Sequence, residues 1–222
     1  MLAFASVVID VDSTLCGVEG IDFLAERRGA AVGRKIVELT DRAMKGEIPL
    51  ESVYASRLSI VRPTTEDIRA LAHAYMVSLA PGAAESIAAM RAAGARLALV
   101  SGGILQAILP IARELGFGAD EVHAVSIHFA RNGTYVGIDE PAPLATQRGK
   151  PEVVSQLLET GALVRPLLAV GDGATDAMLV GVADCFAAYT GFARRESVIA
   201  RADMELGSFG ELEVKVMGEG GG

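Results

Sequence analysis

An α/β fold built on a doubly wound, Rossmann-like parallel sheet is what this sequence predicts, and three observations predict it. Short apolar runs at Phe4 to Ile9, Leu97 to Val100 and Leu167 to Val170 lack polar alternation, as strands buried on both faces do. Each run is followed within a few residues by a glycine or an acid and then by helix-like sequence, the strand-turn-helix repeat of a parallel sheet. The 222 residues, 51% apolar with mean hydropathy +0.38, supply enough core for one large domain or for a core domain with a small satellite.

Taken in order, the first strand runs into Asp10. Residues 18–80 then change character, with helical periodicity in IDFLAERRG, GRKIVELTDRAMKG, LESVYASRLSIV and TEDIRALAHAYMVSLA and almost no strand signal. Thr64 with Asp67 three residues on predicts a capping box at the head of the last of these helices. The pattern predicts a helical cap domain of the four-helix-bundle type over 18–80, inserted into a core formed by 1–17 and 81–222. The alanine-rich segment PGAAESIAAMRAAG predicts a helix leading into the second strand. After that strand come Ser101-Gly102-Gly103 and a helix that Gly116 can close, with Ser101 in a position to cap its start. Asn132-Gly133 between two β-like runs predicts a type I′ hairpin, a small flap at the sheet edge. KPEVVSQLLE then reads as the helix before the Leu167 strand, and the tail VMGEGGG as a frayed end.

Composition narrows the function. Twenty basic against 28 acidic residues give a net charge of −8 and a pI near 5.0, which argues against a phosphate-tracking nucleic-acid surface. Seven Phe, four Tyr and no Trp leave few platforms for stacking bases. Cys16 and Cys185 have no metal-ligand spacing and suit a reducing compartment. The N-terminal segment lacks a basic region, and the longest uncharged stretch, Leu97 to Ala112, is broken by Ser, Gly, Gln and Pro. The expectation is a cytoplasmic protein that engages neither membrane nor nucleic acid.

If the three apolar runs are neighbouring parallel strands, their C-terminal ends share the sheet edge at which ligands of open α/β folds sit. That edge would receive Asp10 and Asp12, Ser101-Gly102-Gly103, and Asp172 with Asp176. Close carboxylates stay ionised together only around a cation, and hard oxygen ligands that leave room for a phosphate oxygen suit Mg²⁺. An aspartate can attack phosphorus, and an acid two residues on can protonate the leaving oxygen and then activate water. Asp10 is thus the candidate nucleophile and Asp12 the general acid/base, with Ser101, the Gly102 amide and Lys150 to hold the phosphoryl oxygens. A calcium loop starting at Asp10 is excluded, because its sixth and twelfth positions are Leu15 and Ile21.

VVIDVDSTL, LVSGG, the lysine of RGKPEVV and VGDGATDAM, in that order, resemble the four motifs of the haloacid-dehalogenase superfamily of phosphatases. DVDSTL ahead of a helical insert, with GDGATD later, resembles the phosphoserine phosphatases within it. The resemblance covers nearly the whole chain. It implies a phosphorylated Asp10, an acid/base Asp12 whose main-chain carbonyl also binds Mg²⁺, and Asp172 as a further metal ligand with Asp176 in support. It implies phosphate binding by Ser101, Gly102, Lys150 and Thr175, the last standing where asparagine is common. It also implies a substrate-binding trio: Glu19 for an ammonium, Arg57 for a carboxylate and Met44 lining the pocket. The activity so implied is hydrolysis of a small phosphate ester, phosphoserine, in serine biosynthesis. Two rivals are carried with it: transfer or hydrolysis on another small ester such as phosphohomoserine, and a non-catalytic sensor of a phosphate ligand.

Overall fold

The computed structural model describes residues 2–44 and 52–218. The first strand, β1 (Ser6–Ile9), is followed by the four helices α1 (Gly20–Arg27), α2 (Ala30–Met44), α3 (Val53–Val61) and α4 (Thr65–Val77) among the described residues. Helix α5 (Ala83–Ala92) leads into β2 (Arg96–Ile104), α6 (Leu105–Glu114) and β3 (Val122–Val125). A two-stranded antiparallel flap follows, β4 (Ile127–Phe129) with β5 (Tyr135–Ile138), and then α7 (Gly149–Glu159) and β6 (Leu167–Gly171). The chain finishes through β7 (Cys185–Tyr189), α8 (Glu196–Ile199), β8 (Met204–Leu206) and α9 (Phe209–Met217).

The main sheet has the order β3-β2-β1-β6-β7-β8, with every pairing parallel. Its strands alternate between two apolar faces. Val7 and Ile9, Leu97 and Leu99, Leu168 and Val170 join one core with α5, α6 and α9, while Val8, Ala98 and Val100, Leu167 and Ala169 join a second core with α7. Helices on both sides are why these strands read as unbroken apolar runs. Strand β1 has β2 on one flank and β6 on the other, so the order reverses at β1 and opens a crevice at its C-terminal end.

Helices α1 to α4 carry their own apolar residues, including Leu24, Ile36, Leu58 and Leu71, into the first of these cores. The capping box at α4 is present: Asp67 N–H donates to Thr64 Oγ1 at 3.2 Å, and Thr64 N–H to Asp67 Oδ2 at 2.8 Å. Asp67 also accepts from Arg27 and Arg28, which ties the end of α1 to the start of α4.

Two expectations are corrected. Ser101 does not cap α6, because β2 runs on through Ser101-Gly102-Gly103 to Ile104 and the helix begins only at Leu105. The flap turn is not type I′: Gly133 has φ +80° but Asn132 is not in the left-handed region that such a turn needs. Gly133 N–H and then Ala130 N–H close on Ala130 O and Thr134 O, so the loop is a three-residue turn with a bulge. Strands β3, β7 and β8 also extend the sheet beyond the three predicted runs. Among the described residues, no helix is long and apolar enough to cross a membrane.

Candidate active site

Ile9 at the end of β1 is level with Leu99 of β2 and Val170 of β6. Asp10 therefore leaves the sheet beside the start of Ser101-Gly102-Gly103 on one flank and beside Asp172 on the other. Between Val100 and Ile104 the register of β2 against β3 shifts, so Ser101 to Gly103 bulge out of that ladder instead of pairing in step. Ser101 Oγ accepts from Gly103 N–H at 3.0 Å, which folds the segment over the crevice. Lys150, in the first turn of α7, reaches the same place from the opposite face of the sheet.

Lys150 is 4% exposed and its Nζ lies 2.7 Å from Asp10 Oδ1 and 2.6 Å from Asp176 Oδ1. Burial opposes its charge, but the two carboxylates overcome that and hold the ammonium well above the usual lysine range. Asp176 is pushed up to about 6, first by burial and then by the Asp10 charge, against the pull of Lys150 and the Gly173 N–H. Asp172 Oδ1 accepts from the Thr14 hydroxyl at 3.0 Å, and its Oδ2 lies against the Arg195 guanidinium.

Asp12 is turned differently. Its Oδ2 accepts from Gly20 N–H at 2.9 Å and its Oδ1 from the Tyr75 hydroxyl at 2.6 Å. Burial chiefly, with the Asp10 and Glu19 charges adding and the two hydrogen bonds opposing, raises its carboxyl to about 7. An acid in that range can give and take a proton near neutral pH.

A cleft of about 600 Å³ opens between the sheet edge and helices α1 and α3. It is lined by Asp10, Asp12, Ser101, Gly102, Lys150, Asp172, Thr175 and Asp176 from below and by Glu19 and Arg57 from above. Every residue singled out in the sequence is thus brought to one place except Met44, which ends α2 and whose side chain lies outside the described part of the structure. Glu19 accepts from Ser13 Oγ at 2.8 Å and pairs with Arg195 at 3.0 Å, while Arg57 pairs with the exposed Asp22 and keeps a buried Nε without a hydrogen-bond partner.

The sequence alone singles out neither Arg195, Tyr54, Tyr75 nor Thr14. Arg195 bridges Glu19 and Asp172, Tyr54 lines the cleft one helical turn from Arg57, and Tyr75 holds Asp12. The Thr14 hydroxyl had a visible signal, its place in DVDSTL directly after the paired acids. The tyrosines and Arg195 had none, because they stand on helices or loops remote in sequence. Cys16 is fully buried and its thiol is pushed up to about 12 by burial and the nearby Asp12 and Asp10 charges, which leaves it an inert packing group.

Asp10, Asp172 and Asp176 each offer a carboxylate oxygen, and these atoms lie within 4.8 Å of one another. All three side chains are buried, and Asp10 Oδ1 and Asp172 Oδ2 sit against cations without making a well-directed hydrogen bond. Buried oxygens with spare lone pairs at this spacing fit a hard divalent cation.

Residues 7–180 match the family model of the haloacid dehalogenase-like hydrolases. The chain is 38% identical over 209 residues to the chloroplastic phosphoserine phosphatase of Arabidopsis thaliana, covering 93% of this chain and 70% of that protein. It is 33% identical over 207 residues to the phosphoserine phosphatase of Homo sapiens, covering 93% and 91%. A solved structure of a phospho-aspartyl intermediate analogue of phosphoserine phosphatase superposes with a TM-score of 0.74 at 25% identity, over 92% of this chain and 93% of that one. With its carboxylates, lysine and glycine-rich strand end gathered at the β1 switch point, the chain belongs to the haloacid dehalogenase-like hydrolases and, among them, to the phosphoserine phosphatase family.

Proposed function

We propose that the chain hydrolyses L-phosphoserine to L-serine and phosphate through a phosphoryl group carried on Asp10. The observation that carries this reading is the pair of acids leaving the central strand, Asp10 beside the Lys150 ammonium and Asp12 set apart under two donors. An Asp10 oxygen attacks phosphorus, the bond from phosphorus to the serine oxygen breaks, and Asp12 gives that oxygen its proton. Asp12 then takes a proton from water as the water oxygen attacks the acyl phosphate, which frees inorganic phosphate and restores the Asp10 carboxylate. Lys150, Ser101, the Gly102 amide and Thr175 hold the equatorial oxygens on which charge gathers. Asp10, Asp172 and the Asp12 main-chain carbonyl, with Asp176 beside them, would hold Mg²⁺, which when bound draws negative charge from the phosphoryl oxygens.

The substrate's remaining charges meet the upper wall of the cleft in this reading, its ammonium at Glu19 and its carboxylate at Arg57, with Met44 packing beside them. We take 18–80 as a cap domain over a core of 1–17 and 81–222. Support comes from the paired connecting segments, where Gly17 N–H donates to Ser78 O and Ala80 N–H to Leu15 O, both at 2.9 Å. Closure of such a cap would keep water from the phosphoryl group until transfer is complete. The two unpaired cysteines support cytoplasmic residence.

The test is phosphate release from L-phosphoserine, phosphothreonine, phosphohomoserine and an aryl phosphate, each with Mg²⁺ or with EDTA, and with an acceptor alcohol added in parallel. Metal-dependent release fastest from phosphoserine is expected. A phosphorylated acceptor would point to a phosphotransferase, and binding without release to a sensor. In the same assay Arg57→Ala lowers kcat/KM on phosphoserine by about 10- to 100-fold, the loss of a charged hydrogen bond of roughly 1.5–3 kcal/mol, and leaves the aryl phosphate nearly unchanged. Equal losses on both esters would remove Arg57 from substrate recognition.

A further inference from the structure

We propose that Tyr75 is a positioning residue for the acid/base Asp12, its hydroxyl donating to one oxygen of that carboxyl group and fixing the direction in which it faces the cleft. The inference rests on the hydrolase reading above and adds a residue to it. Tyr75 lies in the last turns of α4, is fully buried, and donates to Asp12 Oδ1 at 2.6 Å across 63 residues of chain.

The two partners of Asp12 hold different oxygens. Gly20 N–H donates to Oδ2 and the Tyr75 hydroxyl to Oδ1, so together they fix the plane of the carboxyl group and leave a second lone pair on each oxygen to carry the proton that passes to the leaving alcohol. Of the two bonds, the one from Tyr75 is made by a side chain and can be removed with the ring kept in place.

Two features hold the hydroxyl there. Helix α4 packs along α6 of the core, and just past its end Ser78 O accepts from Gly17 N–H, so Tyr75 is anchored to the body that carries Asp12. The approach also depends on Gly20, where a Cβ would stand 2.5 Å from the Tyr75 hydroxyl oxygen. A tyrosine that merely filled the core would need no such gap.

The experiment follows formation of the Asp10 phosphoryl enzyme by rapid acid quench with two esters. Phosphoserine has an alcohol leaving group that needs a proton, whereas 4-nitrophenyl phosphate has one that does not. Tyr75→Phe, nearly the same shape, is expected to slow the phosphoserine step about tenfold, a part of the roughly 10²- to 10⁴-fold that a general acid supplies. The nitrophenyl step and the KM for phosphoserine should stay within about twofold on the same argument. Gly20→Ala, which displaces the hydroxyl while keeping Tyr75, should reproduce that selectivity and add little in the Tyr75→Phe background. Either variant, if folded, is sufficient. Slowing of both esters alike, or of neither, overturns the inference alone. A wild-type chain that transfers phosphoryl from neither ester overturns the hydrolase reading and this inference with it.

Discussion

Asp10→Asn abolishes turnover, with phosphate release falling by roughly 10³- to 10⁶-fold, the range seen when a nucleophile is removed from a preorganised site. The amide has almost the volume of the carboxylate, and its oxygen can still accept from Lys150, 2.7 Å from the present Oδ1. What it lacks is the charge and basicity to attack phosphorus. The fold should survive, because the substitution also removes an anion that repels Asp12 and Asp176 and raises both of their carboxyl groups. The unfolding temperature should stay within about 4 °C, equivalent to roughly 1 kcal/mol for a chain of this size. Phosphate release beside a circular dichroism melt checks both statements. A folded variant keeping a tenth of the activity would take the nucleophile's role from Asp10.

Lys150→Met strikes both stability and activity. The ammonium is buried between Asp10 and Asp176, so removing it leaves two carboxylates confined without their cation. Breaking a buried pair from one side costs about 3–5 kcal/mol, since the stranded charge has lost its water and its partner. At roughly 2–4 °C per kcal/mol, the unfolding temperature should fall by about 6–20 °C. Adding Asp176→Asn removes one stranded charge and should recover part of that loss. Turnover should not recover with it, because no ammonium then faces the phosphoryl oxygens. Melting curves and phosphate release for the single and double variants separate these roles. Restored turnover in the double variant would mean that Lys150 serves only to balance Asp176.

The catalytic edge was legible because Asp10, Ser101 and Asp172 each stand within two residues of the end of an apolar run, and parallel strands bring such positions together wherever they fall in the chain. Strands β1, β2 and β6 were readable for the same reason, being covered on both faces. Short β8 and edge strand β3 were not, since their strand character is set by the neighbour each pairs with more than by their own pattern. Asn132-Gly133 signals a turn but not its length, and the third loop residue decided the turn type. Ser101 looks like a helix cap from its spacing alone, whereas pairing carries β2 three residues further. Tyr75 and Arg195 mark the limit of pattern reading. Their partners stand 63 and 176 residues away, at Asp12 and Glu19, and only the folded chain joins them.

The most direct measurement is to mix the protein with L-phosphoserine and divalent metal, quench in acid during turnover, and locate any phosphoryl group by peptide mass spectrometry. The predicted result is a phosphoryl group on the peptide containing Asp10, absent when the metal is chelated and absent from Asp10→Asn. Phosphate released with no phosphoryl group on the chain, or with one on Asp172 or another side chain, would contradict covalent transfer to Asp10.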